Sequence, residues 1–272
     1  MKQFKNISIR KKILISMLVF TLLPIILVAA VATTIPYLTM RDQLIYDHRM
    51  SSGWLQDRLS LDVNTILDHF YDFEVDKAVK NDIYQWCVKG EPLNYAAQWQ
   101  IITLMNTLIS MDSRINSIEI HNLSDDSVLI AARSGAHLDI RGDRLDRWFA
   151  RGTGLQSNLV FLREENELLA IHQIHRFDDK LPIAVVVARF RPYQLQNVLD
   201  EIKTVPEETI LVFNDQNELL EADYGTTWDI GAETVEVVRS ELASGERKEG
   251  SYHNQFWFYR SVDNGKMQVL LT

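Results

Sequence analysis

Residues 115–133 read INSIEIHNLSDDSVLIAAR, and within them the hydrophobic period changes from that of a helix to that of a strand. Ile118 and Ile120 alternate with Glu119 and His121, a polar cluster over 122–127 turns the chain, and 128–133 returns. That pattern is an antiparallel hairpin. Upstream the period is helical: Leu55, Leu59, Val63, Ile66, Phe70 and Phe73 follow at steps of three or four, while Asp57, Arg58, Asp62, Asn64 and Asp68 take the wet face. This predicts one long helix from about 39 to about 76, with Gly53 a weak point costing ~1 kcal/mol against alanine. Further helices are predicted over 76–89, ended by Gly90-Glu91-Pro92, and over 95–111, with Trp99, Ile102, Met105, Leu108 and Ile109 inward. Cys87 on the first of these reads as a small buried apolar residue.

Downstream, a short helix is expected at 143–150, closed by Arg151-Gly152-Thr153-Gly154, and then strands at 158–163, 168–175 and 183–190. With the hairpin these make a five-stranded unit. Pro192 is placed to open a helix running to about Lys203. A smaller unit follows Pro206: strands at 209–213 and 218–222 around Asn214-Asp215-Gln216-Asn217, a helix at 234–242, and strands at 250–253, 255–262 and 267–271. Asp263-Asn264-Gly265-Lys266 is the clearest turn signal in the chain.

At the other end, residues 13–35 carry no charge, and the 23 of them at ~1.5 Å per residue span a ~30 Å hydrocarbon layer. Five of the chain's 28 cations and none of its 37 anions precede that run, while Arg41 stands nearly alone after it. The positive-inside rule then leaves the N-terminus in the cytoplasm and 36–272 outside. A cleavable signal is the competing reading, since Ala30-Val31-Ala32 fits a small-x-small site, but the run exceeds the ~7 to 15 residues of a signal core. The 272 residues, 46% apolar and 24% charged, suffice for one large or two ordinary domains with real cores. All the acid lies after Pro36, so that part is more negative than the chain's net charge of -9; it repels phosphate backbones, and nucleic acid is not expected as a partner. A single cysteine forms no intrachain disulfide.

Catalytic patterns are missing from the sequence: there is no Gly-x-x-x-x-Gly-Lys, His-Glu-x-x-His or Gly-x-Ser-x-Gly. His172 and His175 are an odd number of residues apart on a strand, which predicts opposite faces and no shared metal. Asp125-Asp126 and Asp178-Asp179 fall in turns, where aspartate is favoured by the backbone. No catalytic residue, metal or cofactor is therefore expected. A small-molecule ligand is expected where the sheet face opposite the long helix meets the short helix. Leu168, Ala170, His172 and Ile174 form one strand face that suits a pocket floor, although a core histidine fits equally. Trp148 can stack on a sugar ring or close the core, and Arg133 and Arg163 end strands where a guanidinium can bind an anion or face solvent. Trp257, Phe258 and Tyr259 alternate faces and cannot all line one cavity.

The order of charged N-terminus, membrane helix, long outer helix, helical insert and two sheet units resembles the extracytoplasmic double Cache sensor domain. The opening Asn6-Ile7-Ser8-Ile9-Arg10-Lys11-Lys12-Ile13-Leu14-Ile15-Ser16, with Leu22-Leu23-Pro24, is similar to the start of YesM-type sensor histidine kinases. The Trp148-Phe149 pair and Glu167-Leu168-Leu169-Ala170 are further similar passages. The resemblance implies an α+β fold with two PAS-like antiparallel-sheet units. It divides the chain into a cytoplasmic 1–12, a membrane helix 13–35, a membrane-distal unit 36–205 and a membrane-proximal unit 206–272 that leads toward a second membrane helix. It also implies a homodimer that binds a small molecule or a ligand-loaded binding protein, with kinase domains beyond these residues and no catalysis within them. Phe149 and Trp148 then belong to the ligand site. Asp146-Arg147-Trp148-Phe149 departs from the Arg-x-Trp-Tyr run of the amino-acid-binding branch, which turns the expectation toward a sugar, oligosaccharide or peptide. Membrane-anchored AraC-type regulators and chemoreceptors share such sensors, and an anchored enzyme or adhesive domain without signalling output is the remaining class.

Overall fold

The computed structural model describes residues 9–88, 95–125, 127–140, 159–164, 166–176, 181–203, 206, 208–223, 249–252, 255–263 and 266–271. It divides into two units, Met1–Arg49 and Met50–Thr272.

The first unit holds the N-terminal part of α1 (Ile9–Val75), whose strongly apolar stretch is not buried against the rest of the structure. By length and composition this helix can cross a membrane. Its threonine hydroxyls bond within the helix: Thr21 donates to the Met17 carbonyl at 2.9 Å, Thr33 to Ala29 at 2.9 Å and Thr34 to Ala30 at 2.7 Å. Such back-bonding is how polar side chains persist among apolar ones. Pro24 and Pro36 lie inside α1 and do not end it, so the predicted start near 39 is corrected to one helix that includes the apolar run.

In the second unit the predicted stripe of α1 is buried from Leu55 to Phe73. Asp76 then caps α2 (Lys77–Val88), its Oδ1 accepting from the Ala78 N–H at 2.8 Å. Cys87 is buried on α2, and burial, followed by the Asp125 charge, pushes its thiol far above the usual range. On α3 (Tyr95–Met111) the inward residues are Ala97, Gln98, Ile101, Met105, Leu108 and Ile109, whereas Trp99 is 69% exposed. The expectation for Trp99 is corrected for a simple reason. Met105, Leu108 and Ile109 are buried as expected, and toward the N-terminal end the same face continues through Ile101 and Ala97, which leaves Trp99 outside it.

The first sheet contains β1 (Ile115–Asn122), β2 (Ser127–Ala132), β3 (Gly135–Ile140), β4 (Leu159–Glu164), β5 (Glu167–His175) and β6 (Pro182–Phe190). Its order is β3-β2-β1-β6-β5-β4, antiparallel throughout. It therefore has six strands where five were expected. The addition is β3, entered by a two-residue turn between Ala132 and Gly135 in which Gly135 takes φ 135°, a value open to glycine. Helix α4 (Gln194–Ile202) starts two residues after Pro192, behind Tyr193 in the left-handed region at φ 61°. The second sheet contains β7 (Ile210–Asn214), β8 (Leu219–Asp223), β9 (Glu249–Tyr252), β10 (Gln255–Val262) and β11 (Met267–Leu271), ordered β8-β7-β11-β10-β9. The expected helices at 143–150 and 234–242 lie outside the described residues.

Polar contacts join the parts of the second unit. Buried Asn214 of β7 donates from Nδ2 to the Phe161 carbonyl of β4 at 3.0 Å. Arg163 of β4 reaches Glu221 of β8 at 2.7 Å, and Gln56 of α1 donates to the Ser261 carbonyl of β10 at 2.9 Å. Arg114 is held by Asp112 at 2.7 Å and by Asp62 of α1, while His69 of α1 lies 3.5 Å from Asp112. Trp257 packs with Leu211, Phe213, Leu270 and Tyr259, and at Gly250 an added Cβ would come within 2.6 Å of its ring.

Candidate ligand site

Strand register sorts the first sheet into two faces. Partners across an antiparallel pair share a face, so Ala170, His172 and Ile174 of β5 stand with Ala188, Val186 and Ala184 of β6. This face meets α1: the His172 imidazole stacks on Phe70 with ring centroids 5.4 Å apart and an interplanar angle of 11°, and its Nε2 lies 3.7 Å from Glu74 Oε1. Of the two readings left open for His172, pocket floor or core histidine, the Phe70 stack matches the core one; alternation along one strand cannot say which face the helix covers. The expectation for His175 is corrected. At the end of β5, where its pairing with β6 shifts register, His175 Nδ1 comes within 3.6 Å of the same Glu74 oxygen.

The opposite face carries a buried apolar cluster of Val160, Leu162, Leu169, Ile171, Val185 and Val187, with Leu123 against it. Beside the cluster on the same face are Glu119 and His121 of β1, Arg189 of β6, and Glu164 and Glu167 at the β4–β5 turn. Arg189 donates from Nε to Glu119 Oε1 at 2.5 Å, and from Nη1 to Glu164 at 3.3 Å and Glu167 at 3.4 Å. His121 Nε2 is hydrogen-bonded to the other Glu119 oxygen at 3.0 Å. Burial works to raise the Glu119 carboxyl, but the bonds to His121 and Arg189 and the Arg189 charge outweigh it and hold the group below its usual range. For Arg189, burial opposes the charged form and the carboxylates of Glu119 and Glu164 more than restore it. A buried ionic network of this kind supplies charged donors and acceptors that a polar ligand can engage. Among the described residues no group of three His, Cys, Asp or Glu is arranged to hold a metal ion.

The other sequence-predicted site residues are placed elsewhere. Arg133 donates to the carbonyls of Ile109 at 2.7 Å, Asp112 at 3.1 Å and Ile115 at 3.1 Å, closing the end of α3 onto β1. Arg163 is engaged with Glu221 and, at 3.2 Å, with the Leu220 carbonyl. Neither joins His172, and the three do not form one rim. Trp148 and Phe149 lie outside the described residues. Glu119, His121 and Arg189 were missed. Their signal was Arg189 itself, a cation inside the otherwise apolar run IAVVVARF at 183–190. On a strand buried on both faces, such a charge requires a partner.

Comparison with known proteins bears on the architecture. No family model matches the sequence, and no curated protein matches it. Solved structures share the fold. The extracellular domain of the putative histidine kinase rpHK1S-Z16 aligns with a TM-score of 0.54 at 12% identity, over 86% of this chain and 95% of that one. The extracellular domain of the putative histidine kinase vpHK1S-Z8 aligns with a TM-score of 0.50 at 11% identity, over 86% and 92%. The ligand-binding domain of the Campylobacter jejuni chemoreceptor Tlp3 in complex with L-norvaline aligns at 0.47 and 11%, over 83% and 91%. The fold class is thus α+β, a long N-terminal helix followed by two PAS-like antiparallel-sheet units.

Proposed function

We propose that this chain is the extracytoplasmic ligand-sensing module of a bacterial two-component sensor histidine kinase of the YesM type, built on a double Cache fold. Residues 1–12 stay in the cytoplasm and 13–35 cross the membrane. Residues 36–205 form the ligand-binding unit, and 206–272 form the relay unit of a homodimer. Its ligand is a polar small molecule of the sugar or oligosaccharide class, received free or from a binding protein. The observation that carries this is the Arg189–Glu119–His121 network beside a buried apolar cluster, on the sheet face opposite α1. Hydroxyl-rich molecules suit such a network, since paired carboxylate and guanidinium groups bind adjacent hydroxyls. The fold shared with extracellular domains of two putative histidine kinases supports the sensing role.

The test is a thermal-shift screen of the full chain in lipid nanodiscs against monosaccharides, oligosaccharides, peptides and free amino acids. A saccharide is expected to raise the unfolding temperature. Glu119→Gln, Arg189→Lys and Trp148→Ala are each expected to weaken that binding by about ten-fold or more, roughly 1.4 kcal/mol, in proteins that still fold. A saccharide whose affinity is untouched by all three changes would place the site elsewhere, and a response only to amino acids would overturn the ligand class.

A further inference from the structure

We infer that the β4–β5 turn couples the Arg189 network to the second sheet, so that a ligand engaging Glu164 and Glu167 reaches β8 through Arg163 and through α4. The ligand's part in this rests on the reading of that network as the binding site.

Consecutive residues of a strand point to opposite faces, and at the end of β4 the two faces hold different partners. Glu164 turns to the network, where its carboxylate meets Arg189 Nη1 at 3.3 Å, and Glu167, paired with it across the turn, meets the same nitrogen at 3.4 Å. Arg163, one residue back, holds β8 through Nη1, at 2.7 Å from Glu221 and 3.2 Å from the Leu220 carbonyl. A second connection leaves the same turn. The Tyr193 N–H donates to the Asn166 carbonyl at 3.4 Å, and Asn166 Nδ2 donates to the Tyr193 hydroxyl at 3.3 Å. Tyr193 stands at the N-cap of α4, and Lys203 at its C-cap pairs with Asp223 of β8 at 2.8 Å. Both connections thus end on one strand of the second sheet.

Charge-assisted N–H···O bonds lie at about 2.7–2.9 Å. The Glu119 contact with Arg189, at 2.5 Å, is firm, whereas Glu164 and Glu167 share one nitrogen at longer range and are the loosest contacts of the network. Their side chains are 26% and 27% exposed, against 13% for Glu119. A ligand that donates hydrogen bonds therefore takes these two carboxylates from Arg189 first, and the turn that carries them is freed to move. The links onward to β8, at 2.7 and 2.8 Å, are short, so β8 follows the turn. As the edge strand beside β7, with a register irregularity between Val212 and Phe213, β8 is the strand of that sheet placed to respond.

Hydrogen exchange of the full chain in nanodiscs, without ligand, tests the coupling at the backbone amides of 219–223. Glu164→Gln together with Glu167→Gln releases the turn from Arg189 and is expected to lower protection there by about three-fold or more. The same two changes are then made in a chain whose links to β8 are cut by Arg163→Gln and Lys203→Gln, where they should lower protection by less than about 1.5-fold. General loosening of the protein acts in both backgrounds alike, so the cycle separates it from coupling. Equal effects in the two backgrounds, or no effect in the uncut chain, overturn the inference. With no ligand present, such a failure is distinct from a failure of the saccharide screen, which would overturn the ligand reading.

Discussion

Arg189 of β6 holds Glu119 at 2.5 Å and also reaches Glu164 and Glu167. A buried ion pair is worth little relative to an apolar replacement of both partners, but removing one partner strands the other charge. Arg189→Met should therefore cost about 3 kcal/mol in urea denaturation, and Glu119→Gln added to it should restore a large part of that loss. If the single variant proves as stable as wild type, the network is not a buried charge cluster. Arg133 shows the opposite use of the same side chain. Its donors close the carbonyls at the end of α3, where a helix leaves acceptors without intrahelical partners.

At the scale of elements, α1 is joined to the α3–β1 connection by Asp62, Arg114, Asp112 and His69. Burial alone would raise the Asp112 carboxyl, yet the hydrogen bonds from His69 and Arg114 prevail and hold it well below the usual range. A carboxyl lowered in the folded state contributes stability that is complete above its unfolded value, about pH 4, and is lost as pH falls toward the folded value. The urea midpoint is thus expected to fall steeply on acidification below about pH 4. Asp112→Asn should be less stable at neutral pH and show a shallower acid limb. An acid limb as steep in the variant as in wild type would assign the loss to other carboxyls, of which Glu74 and Glu119 are also lowered in the fold. The element boundaries themselves were largely legible: α3 runs from Tyr95 to Met111 where periodicity had placed it, and β5 and β10 match to within a residue. The missed strand, β3, carries no long alternating run, and its signal was the Ser134-Gly135 dipeptide.

At the scale of the folded unit from Met50 onward, the two sheets meet at β4, through the Asn214 bond to the Phe161 carbonyl and the Arg163 pair with Glu221. Asn214 is fully buried, and its Oδ1 also accepts from the N–H groups of Gln216 at 3.0 Å and Glu218 at 2.8 Å. Asn214→Ala is expected to destabilise by about 2 kcal/mol, since backbone groups lose a buried partner. A calorimetric trace that stays a single transition with a lowered midpoint would show that this contact supports both sheets equally, whereas splitting into two transitions would show that it couples them. By itself the sequence determined the membrane-length apolar helix, the buried stripe of α1, the change to strand period at Ile115 and most of the strand boundaries. These depend on local spacing, which fixes which residues can share a face. Only the tertiary structure decided which face of β5 meets α1, that His172 and His175 share Glu74, and that Glu119, His121 and Arg189 converge. Those facts depend on the register between strands far apart in sequence and on how the helix packs against them, and no period along a single strand encodes either.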